Sequence, residues 1–290
     1  MSQIEGSTML ITGGASGLGR RLARGAASRG ARVVIWDINQ ENLDRVLAEL
    51  PPVGAGGHVG FACDVSQREA VYEAAARVRS EAGDVDILIN CAGVVSGKPF
   101  LELPDRKIEA TFQINSLSLF WTSKAFLPGM LERDRGHVVT IASASGYIGV
   151  AKLADYAASK WAAIGFDESL RMELKKKGSR VRTTVVCPYY IDTGMFAGVK
   201  TRFPRLLPIL DERKVAERVL RAIQRNKARL VLPRLVGLLP SMRLLPVGAF
   251  DAIATFLGVN ATMDEFVGRD SDRAALADQT SNSGSSMRSL

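Results

Sequence analysis

Short runs of consecutive apolar residues, many of them β-branched, punctuate this chain near residues 8–12, 32–36, 58–63, 85–89, 137–141, 181–187 and 229–232. Runs of this length bounded by Gly, Ser or Asn read as strands buried on both faces. Between them, residues 17–29, 40–50, 67–82, 105–132, 155–177 and 213–226 are helix-like. Regular strand–helix alternation predicts a parallel sheet with helices on both faces. The expected fold class is therefore α/β, a single doubly wound parallel sheet of about seven strands. With 290 residues and neither a repeat nor a linker, the chain is expected to form one domain over residues 1–268. Residues 189–268 are expected to supply a substrate loop and a basic, leucine-rich extension, and the Ser/Asp/Asn-rich residues 269–290 a disordered tail.

The first strand candidate runs directly into Gly13-Gly14-Ala15-Ser16-Gly17-Leu18-Gly19, and a helical stretch follows. A glycine-rich turn between strand and helix lets the backbone approach a phosphate, which the helix N-terminus then favours electrostatically. This is a dinucleotide-binding arrangement of the Rossmann type, with the spacing Gly-x-x-x-Gly-x-Gly. The second strand ends in Asp37. An acid there accepts both ribose hydroxyls of NAD and repels a 2′-phosphate. Ser16 is not basic either, so NAD is expected and NADP is disfavoured.

Tyr156 and Lys160 lie four residues apart and so share one helix face. A neighbouring cation favours a phenolate, so Lys160 is expected to lower the Tyr156 pKa toward a usable acid/base range. Upstream, the strand candidate 137–141 ends in Ala142-Ser143-Ala144-Ser145-Gly146. Ligands of open parallel sheets bind beyond the carboxyl ends of strands. Ser143 or Ser145 would hold a substrate oxygen there, and spacing alone does not choose between them.

Together with Asp64-Val65, Asn90-Cys91-Ala92-Gly93, Asn115, Pro188 and Thr193, these motifs resemble the short-chain dehydrogenase/reductase family over about residues 5–260. The segments Ala125-Phe126-Leu127-Pro128, Gly136-His137-Val138-Val139-Thr140 and Thr193-Gly194-Met195-Phe196 are similar to its retinol and hydroxysteroid dehydrogenase branch. The resemblance favours Ser143 over Ser145 and implies the catalytic set Asn115, Ser143, Tyr156 and Lys160. In that set Lys160 also binds the nicotinamide ribose, and Asn115 holds a water linking Lys160 to solvent. It further implies that Gly13, Ser16, Gly17, Leu18 and Gly19 pass the pyrophosphate and Asp37 holds the adenosine ribose. Asp64 and Val65 would border the adenine, and Asn90, Ala92 and Gly93 would line the path to the nicotinamide. Pro188, Ile191 and Thr193 would close over its carboxamide.

One departure stands out: Tyr189-Tyr190 follows Pro188 where many members carry glycine. The substrate pocket is expected from Val95, Ser145, Ile148, Val150, Leu153, Tyr189, Tyr190, Met195 and Phe196. Such a lining predicts a lipophilic alcohol or carbonyl: a retinoid, a steroid, or an alkyl or aryl secondary alcohol. Two alternatives are a 3-oxoacyl reductase that meets an acidic carrier protein and a non-enzymatic dinucleotide-binding protein. The resemblance also implies a homodimer or homotetramer built on helices 105–132 and 155–177.

The formal net charge of +8 is unevenly placed. Between Lys200 and Arg243 stand twelve basic residues and three acids, interleaved with leucines. This mixture suggests peripheral contact with an anionic membrane surface rather than with nucleic acid, because stacking aromatics are few. Met1 to Thr8 lacks the pattern of a leader, and no run of 18 apolar residues occurs, so a cytoplasmic protein is expected, at most peripheral at a membrane. The cysteines Cys63, Cys91 and Cys187 are expected as small apolar residues at strand ends. His58 and His137 have no metal-ligand spacing, so no metal is expected.

Overall fold

The computed structural model describes residues 2–54 and 56–268; the expected tail at 269–290 lies outside them. Seven strands form one sheet: β1 (Thr8–Thr12), β2 (Arg32–Asp37), β3 (Val59–Ala62), β4 (Ile87–Asn90), β5 (His137–Ile141), β6 (Arg182–Pro188) and β7 (Arg229–Leu232). They are ordered β3-β2-β1-β4-β5-β6-β7, and every neighbouring pair is parallel. The order reverses between β1 and β4, which is where a doubly wound sheet opens a ligand crevice.

Alternation along the strands sorts side chains into two layers. Met9 and Ile11 of β1 pack with Val33 and Ile35 of β2 against Leu22, Ala26, Val219 and Leu220. These belong to helices α1 (Gly17–Ala27) and α7 (Glu212–Gln224), which with α2 (Gln40–Glu49) cover one face. On the other face Leu10, Val34 and Leu88 meet Val78, Phe126, Met130 and Leu170. Those side chains come from α3 (Arg68–Glu81), α5 (Ser118–Glu132) and α6 (Ala154–Lys176). Each such aliphatic or aromatic side chain, once fully buried, contributes roughly 1.5–3 kcal/mol. Gly25 lets α1 and α7 approach closely, since a Cβ there would lie 2.7 Å from a Leu220 methyl and displace it.

The stretch expected as one helix over 105–132 is broken. It comprises α4 (Asp105–Phe112), a π-helical turn over Gln113–Leu117, and α5. Beyond β7 come a 3₁₀ segment (Arg234–Leu238), the short α8 (Leu239–Met242) and α9 (Val247–Phe256), which sequence periodicity does not reveal.

The basic region between Lys200 and Arg243 is divided as well. Arg213, Lys214, Arg218 and Arg221 sit on the exposed face of α7, and Arg225 caps its C-terminus. Only part of the charge, including Arg202, Arg234 and Arg243, lies at the C-terminal helices.

Candidate active site

The glycine turn after β1 is built by exclusion. Gly13 has φ +64, and a Cβ on it would meet the Ala92 Cα at 2.9 Å. A Cβ on Gly19 would lie 2.1 Å from the Gly13 carbonyl. Any side chain at these positions would separate α1 from the turn or β1 from β4. The Thr12 hydroxyl fixes the other side, accepting from the amides of Cys91 and Ala92 at 3.0 and 3.1 Å. At the end of β2, Asp37 accepts from Ala15 N at 3.0 Å and from Asn39 N at 3.1 Å, and it remains half-buried at the cavity wall. Asp64 accepts from Ser66 N at 2.9 Å and shapes the adjoining loop. Bare backbone at a helix N-terminus, followed by a carboxylate at the second strand end, fits a nicotinamide dinucleotide.

The second half of the site lies at the end of β5. Ser143 opens a 3₁₀ turn and its Oγ accepts from Ser145 N at 3.1 Å, which fixes the hydroxyl. Tyr156 and Lys160 lie on the first two turns of α6 and are both buried. The Lys160 Nζ donates to Ile141 O at 3.0 Å and stands 5.5 Å from the centre of the Tyr156 ring.

The electrostatics differ from the sequence expectation. Burial holds the Tyr156 phenol above its ordinary pKa, and its hydrogen bond with Ser143 pulls the other way. Burial also pushes the Lys160 ammonium down to about 8. Desolvation opposes the charged form of both groups, so Lys160 does not bring Tyr156 below its ordinary value as expected.

Asn115, expected at mid-helix, lies in the π-helical turn and is buried. Its Oδ1 accepts from Val94 N at 2.9 Å, while Nδ2 donates to Val94 O and to Ser159 Oγ, both at 3.0 Å. The amide therefore clamps the loop after β4 to α6. A second clamp was not anticipated. The carboxylate of Asp155, buried beside Tyr156, accepts from Ser96 Oγ at 2.7 Å and from Thr111 Oγ1 at 2.8 Å. Acid, hydroxyl and hydroxyl come from three separate segments, so only the assembled fold reveals them.

One cavity of about 640 Å³ joins both halves. Its wall includes Gly13, Ser16, Gly17, Leu18, Gly19, Asp37, Asp64, Val65, Ala92, Gly93, Ser143, Tyr156, Lys160, Pro188, Ile191 and Thr193. It also includes Ser145, Ile148, Val150, Tyr189, Tyr190, Met195 and Phe196. Four expected residues are not part of that wall. Asn90 turns its Oδ1 to the Thr122 hydroxyl at 2.8 Å, and Asn115 is occupied with Val94. Val95 and Leu153 pack behind Tyr156 and Tyr190. Cys63 and Cys91 both line the cavity, Cys63 almost wholly buried, whereas Cys187 is buried away from that wall.

Sequence reading missed the far wall: Leu235, Val236, Leu239, Met242, Phe250, Ala254 and Leu257. The density of leucine there is visible in the sequence, but its place in the cavity wall is not. Tyr189 and Tyr190 pack edge-on at 4.7 Å, Tyr190 and Phe196 at 5.1 Å, and the Tyr190 hydroxyl meets Thr262 Oγ1 at 2.8 Å. The tyrosine pair thus forms an aromatic wall pinned to the C-terminal segment.

Comparison with known proteins agrees with this geometry. The short chain dehydrogenase family model matches residues 7–202. Human epidermal retinol dehydrogenase 2 is 45% identical over 268 residues, covering 91% of this chain and 86% of that protein. The Bos taurus short-chain dehydrogenase/reductase family 16C member 6 is 43% identical over 92% of this chain and 85% of its own length. A Burkholderia phymatum short chain dehydrogenase/reductase solved in complex with NAD superposes with a TM-score of 0.75 at 26% identity, covering 84% of this chain and 95% of that one. A metagenomic short-chain oxidoreductase in complex with NADP gives 0.65 at 30%, covering 80% and 98%. The chain belongs to the short-chain dehydrogenase/reductase family, in the branch of the retinol dehydrogenases, and is an oxidoreductase.

Proposed function

We propose that the protein interconverts a lipophilic alcohol, of the retinoid, steroid or alkyl/aryl secondary class, and its carbonyl, with NAD(H) as cofactor. The observation that carries this reading is the single cavity: Ser143 and Tyr156 lie between a glycine-and-carboxylate end and a far end walled almost wholly by apolar side chains. The dinucleotide, when bound, supplies the hydride acceptor or donor. Ser143 holds the substrate oxygen by hydrogen bond and stabilises charge developing on it. Tyr156 Oη takes the hydroxyl proton in oxidation and returns it in reduction. Lys160, anchored on Ile141, presents its ammonium beside the Tyr156 ring, and Asn115 holds the loop at Val94.

The preference for NAD rests on Asp37 and on what stands around it. Among the described residues lining that end are Ser16, Asp37, Ile38, Asn39 and Asn42, none of them basic. Arg20 is engaged by Glu49 at 2.7 Å and Arg21 by Glu212 at 2.5 Å. Leu117, Phe120 and Met172 are exposed on the face formed by the π-helical turn, α5 and α6, which favours a homo-oligomer.

The test is an activity screen with NAD and NADP over a panel of apolar and polar alcohols. Turnover of apolar alcohols with NAD is the expected result. Activity confined to sugars or small acids would remove the substrate class, and a preference for NADP would remove the cofactor assignment.

A further inference from the structure

The two tyrosines after β6 use their hydroxyls differently. Their rings meet edge-on at 4.7 Å. The Tyr190 hydroxyl is engaged by Thr262 Oγ1 at 2.8 Å. Among the described residues the Tyr189 hydroxyl has no hydrogen-bond partner, and its oxygen keeps accessible surface. Tyr189 is nevertheless half-buried and lines the cavity. Buried tyrosines ordinarily pair their O–H. Phenylalanine would fill the same place in an apolar wall without bringing a polar atom into it, so packing does not account for the hydroxyl.

Position narrows what this hydroxyl can meet. Tyr189 packs against two clusters at once: one holds Tyr156 and Tyr190, the other Ala144, Leu207 and Val236. It therefore stands between the reactive end of the cavity and its far apolar wall. From Ser145 onward, apart from Tyr156 and Lys160, the polar side chains of the wall are Ser145, Tyr189, Tyr190 and Thr193. Ser145 is tied through its amide to Ser143, at the reacting oxygen. Thr193 belongs with Pro188 and Ile191, where the nicotinamide carboxamide is expected. With Tyr190 engaged, Tyr189 is left to meet the remote part of a substrate. Burial holds its phenol above the ordinary pKa, so it stays a neutral O–H that both donates and accepts. A hydrocarbon laid over this hydroxyl would cut it off from water and offer nothing in return, whereas a substrate oxygen would supply the missing partner. A site that bonds a polar group discriminates strongly against an analogue lacking it.

We propose that the Tyr189 hydroxyl bonds a second oxygen of the substrate, remote from the carbon that is oxidised or reduced, so that the preferred substrate is a bifunctional lipophilic alcohol or carbonyl. The proposal rests on the lipophilic substrate class put forward above and narrows it. Within that class it favours a steroid skeleton oxygenated at both ends over a retinoid, whose far end is hydrocarbon. Tyr189 is then a specificity-determining residue with no part in proton transfer.

The test uses the full chain, its Tyr189→Phe and Tyr190→Phe variants, and androstanol and androsterone as probes, each in both hydroxyl epimers. The two probes share one steroid skeleton and one reacting alcohol, and androsterone alone carries a far ketone. With the cofactor the enzyme prefers, wild-type kcat/KM should be at least about tenfold higher for androsterone. Tyr189→Phe should bring that ratio down to about one, with the change in KM rather than kcat, as removal of a contact equal in ground and transition states requires. Tyr190→Phe, which breaks the bond to Thr262, should act on both probes alike and keep the ratio. A wild-type ratio near one, or a ratio unchanged in Tyr189→Phe, overturns the proposal while the lipophilic class stands. So does turnover of retinol but of neither steroid. A loss of affinity for the reduced cofactor in Tyr189→Phe would assign the hydroxyl to the cofactor and overturn the proposal too. Turnover of none of the three alcohols removes the lipophilic class, and the proposal with it.

Discussion

Lys160 donates its ammonium to the carbonyl of Ile141 at 3.0 Å, while the Tyr156 ring it accompanies lies 5.5 Å from the same nitrogen. The lysine is thus tied to the end of β5, the strand that also delivers Ser143. One strand end therefore positions both partners of the tyrosine.

Replacing Tyr156 with Phe removes the proton-transfer atom and keeps the ring packed edge-on against Phe196, 5.7 Å away. Turnover should fall by about 10²–10⁴-fold, while NADH affinity, read by fluorescence titration, stays within about twofold. Undiminished turnover would take Tyr156 out of the mechanism.

Because burial raises the Tyr156 pKa, the phenol is the dominant form at neutral pH. Reduction, which needs the phenol, should be flat from about pH 6 to 8. Oxidation, which needs the phenolate, should rise steadily with pH over the same range. Initial rates in both directions check this, and parallel profiles would contradict it.

Asp37→Asn keeps an acceptor for Ala15 N but removes the charge. The ratio of kcat/KM for NADP to that for NAD should rise by about tenfold, a change of ~1.4 kcal/mol in discrimination. An unchanged ratio would place the selectivity elsewhere.

Asp155→Ala would leave the hydroxyls of Ser96 and Thr111 facing a buried gap. Losing two hydrogen bonds to a charged acceptor should destabilise the fold by roughly 2–4 kcal/mol. The clamp holds the loop over the site, so kcat should fall more than KM rises. Asp155→Asn, which keeps one acceptor oxygen, should recover part of both. Chemical denaturation and steady-state kinetics read the two effects separately.

His137 is buried at the start of β5, bonded to Thr184 Oγ1 at 2.7 Å and Ser2 Oγ at 2.9 Å, and its pKa is pushed down to about 4 mainly by burial. The unfolded chain, with the ordinary value near 6.5, binds the proton more readily. Its contribution to stability is thus complete above about pH 6.5 and lost as pH falls toward 4, an effect of about 3 kcal/mol. Melting temperatures should climb through that window, and His137→Gln should flatten the climb.

Much of this was legible in the sequence because its signals are local. The glycine turn, Asp37 and the Tyr156–Lys160 spacing each sit within a few residues, and the alternation of strands and helices carries the sheet. What escaped depends on distant contacts. The π-helical turn at Asn115 leaves no periodic trace, and its role appears only when Val94 arrives from another segment. Asp155 reads as a polar residue in a first helical turn until Ser96 and Thr111 reach it. Lysine's expected effect on Tyr156 failed because burial, a property of the whole cavity, acts on both groups at once. The leucines after residue 234 leave membrane contact and core packing both open in the sequence, because a surface segment and a cavity wall can share the same composition.

The far wall of the cavity comes from residues that follow the last strand of the sheet. The groups proposed to move a proton are held by β5 and α6, whereas this part of the apolar wall is appended after the sheet. That part of the wall is therefore separable in the chain from the proton-transfer groups. Grafting the 234–259 segment of a relative onto the same sheet is a route to new substrates that leaves Ser143, Tyr156 and Lys160 undisturbed, and natural divergence has the same route open to it.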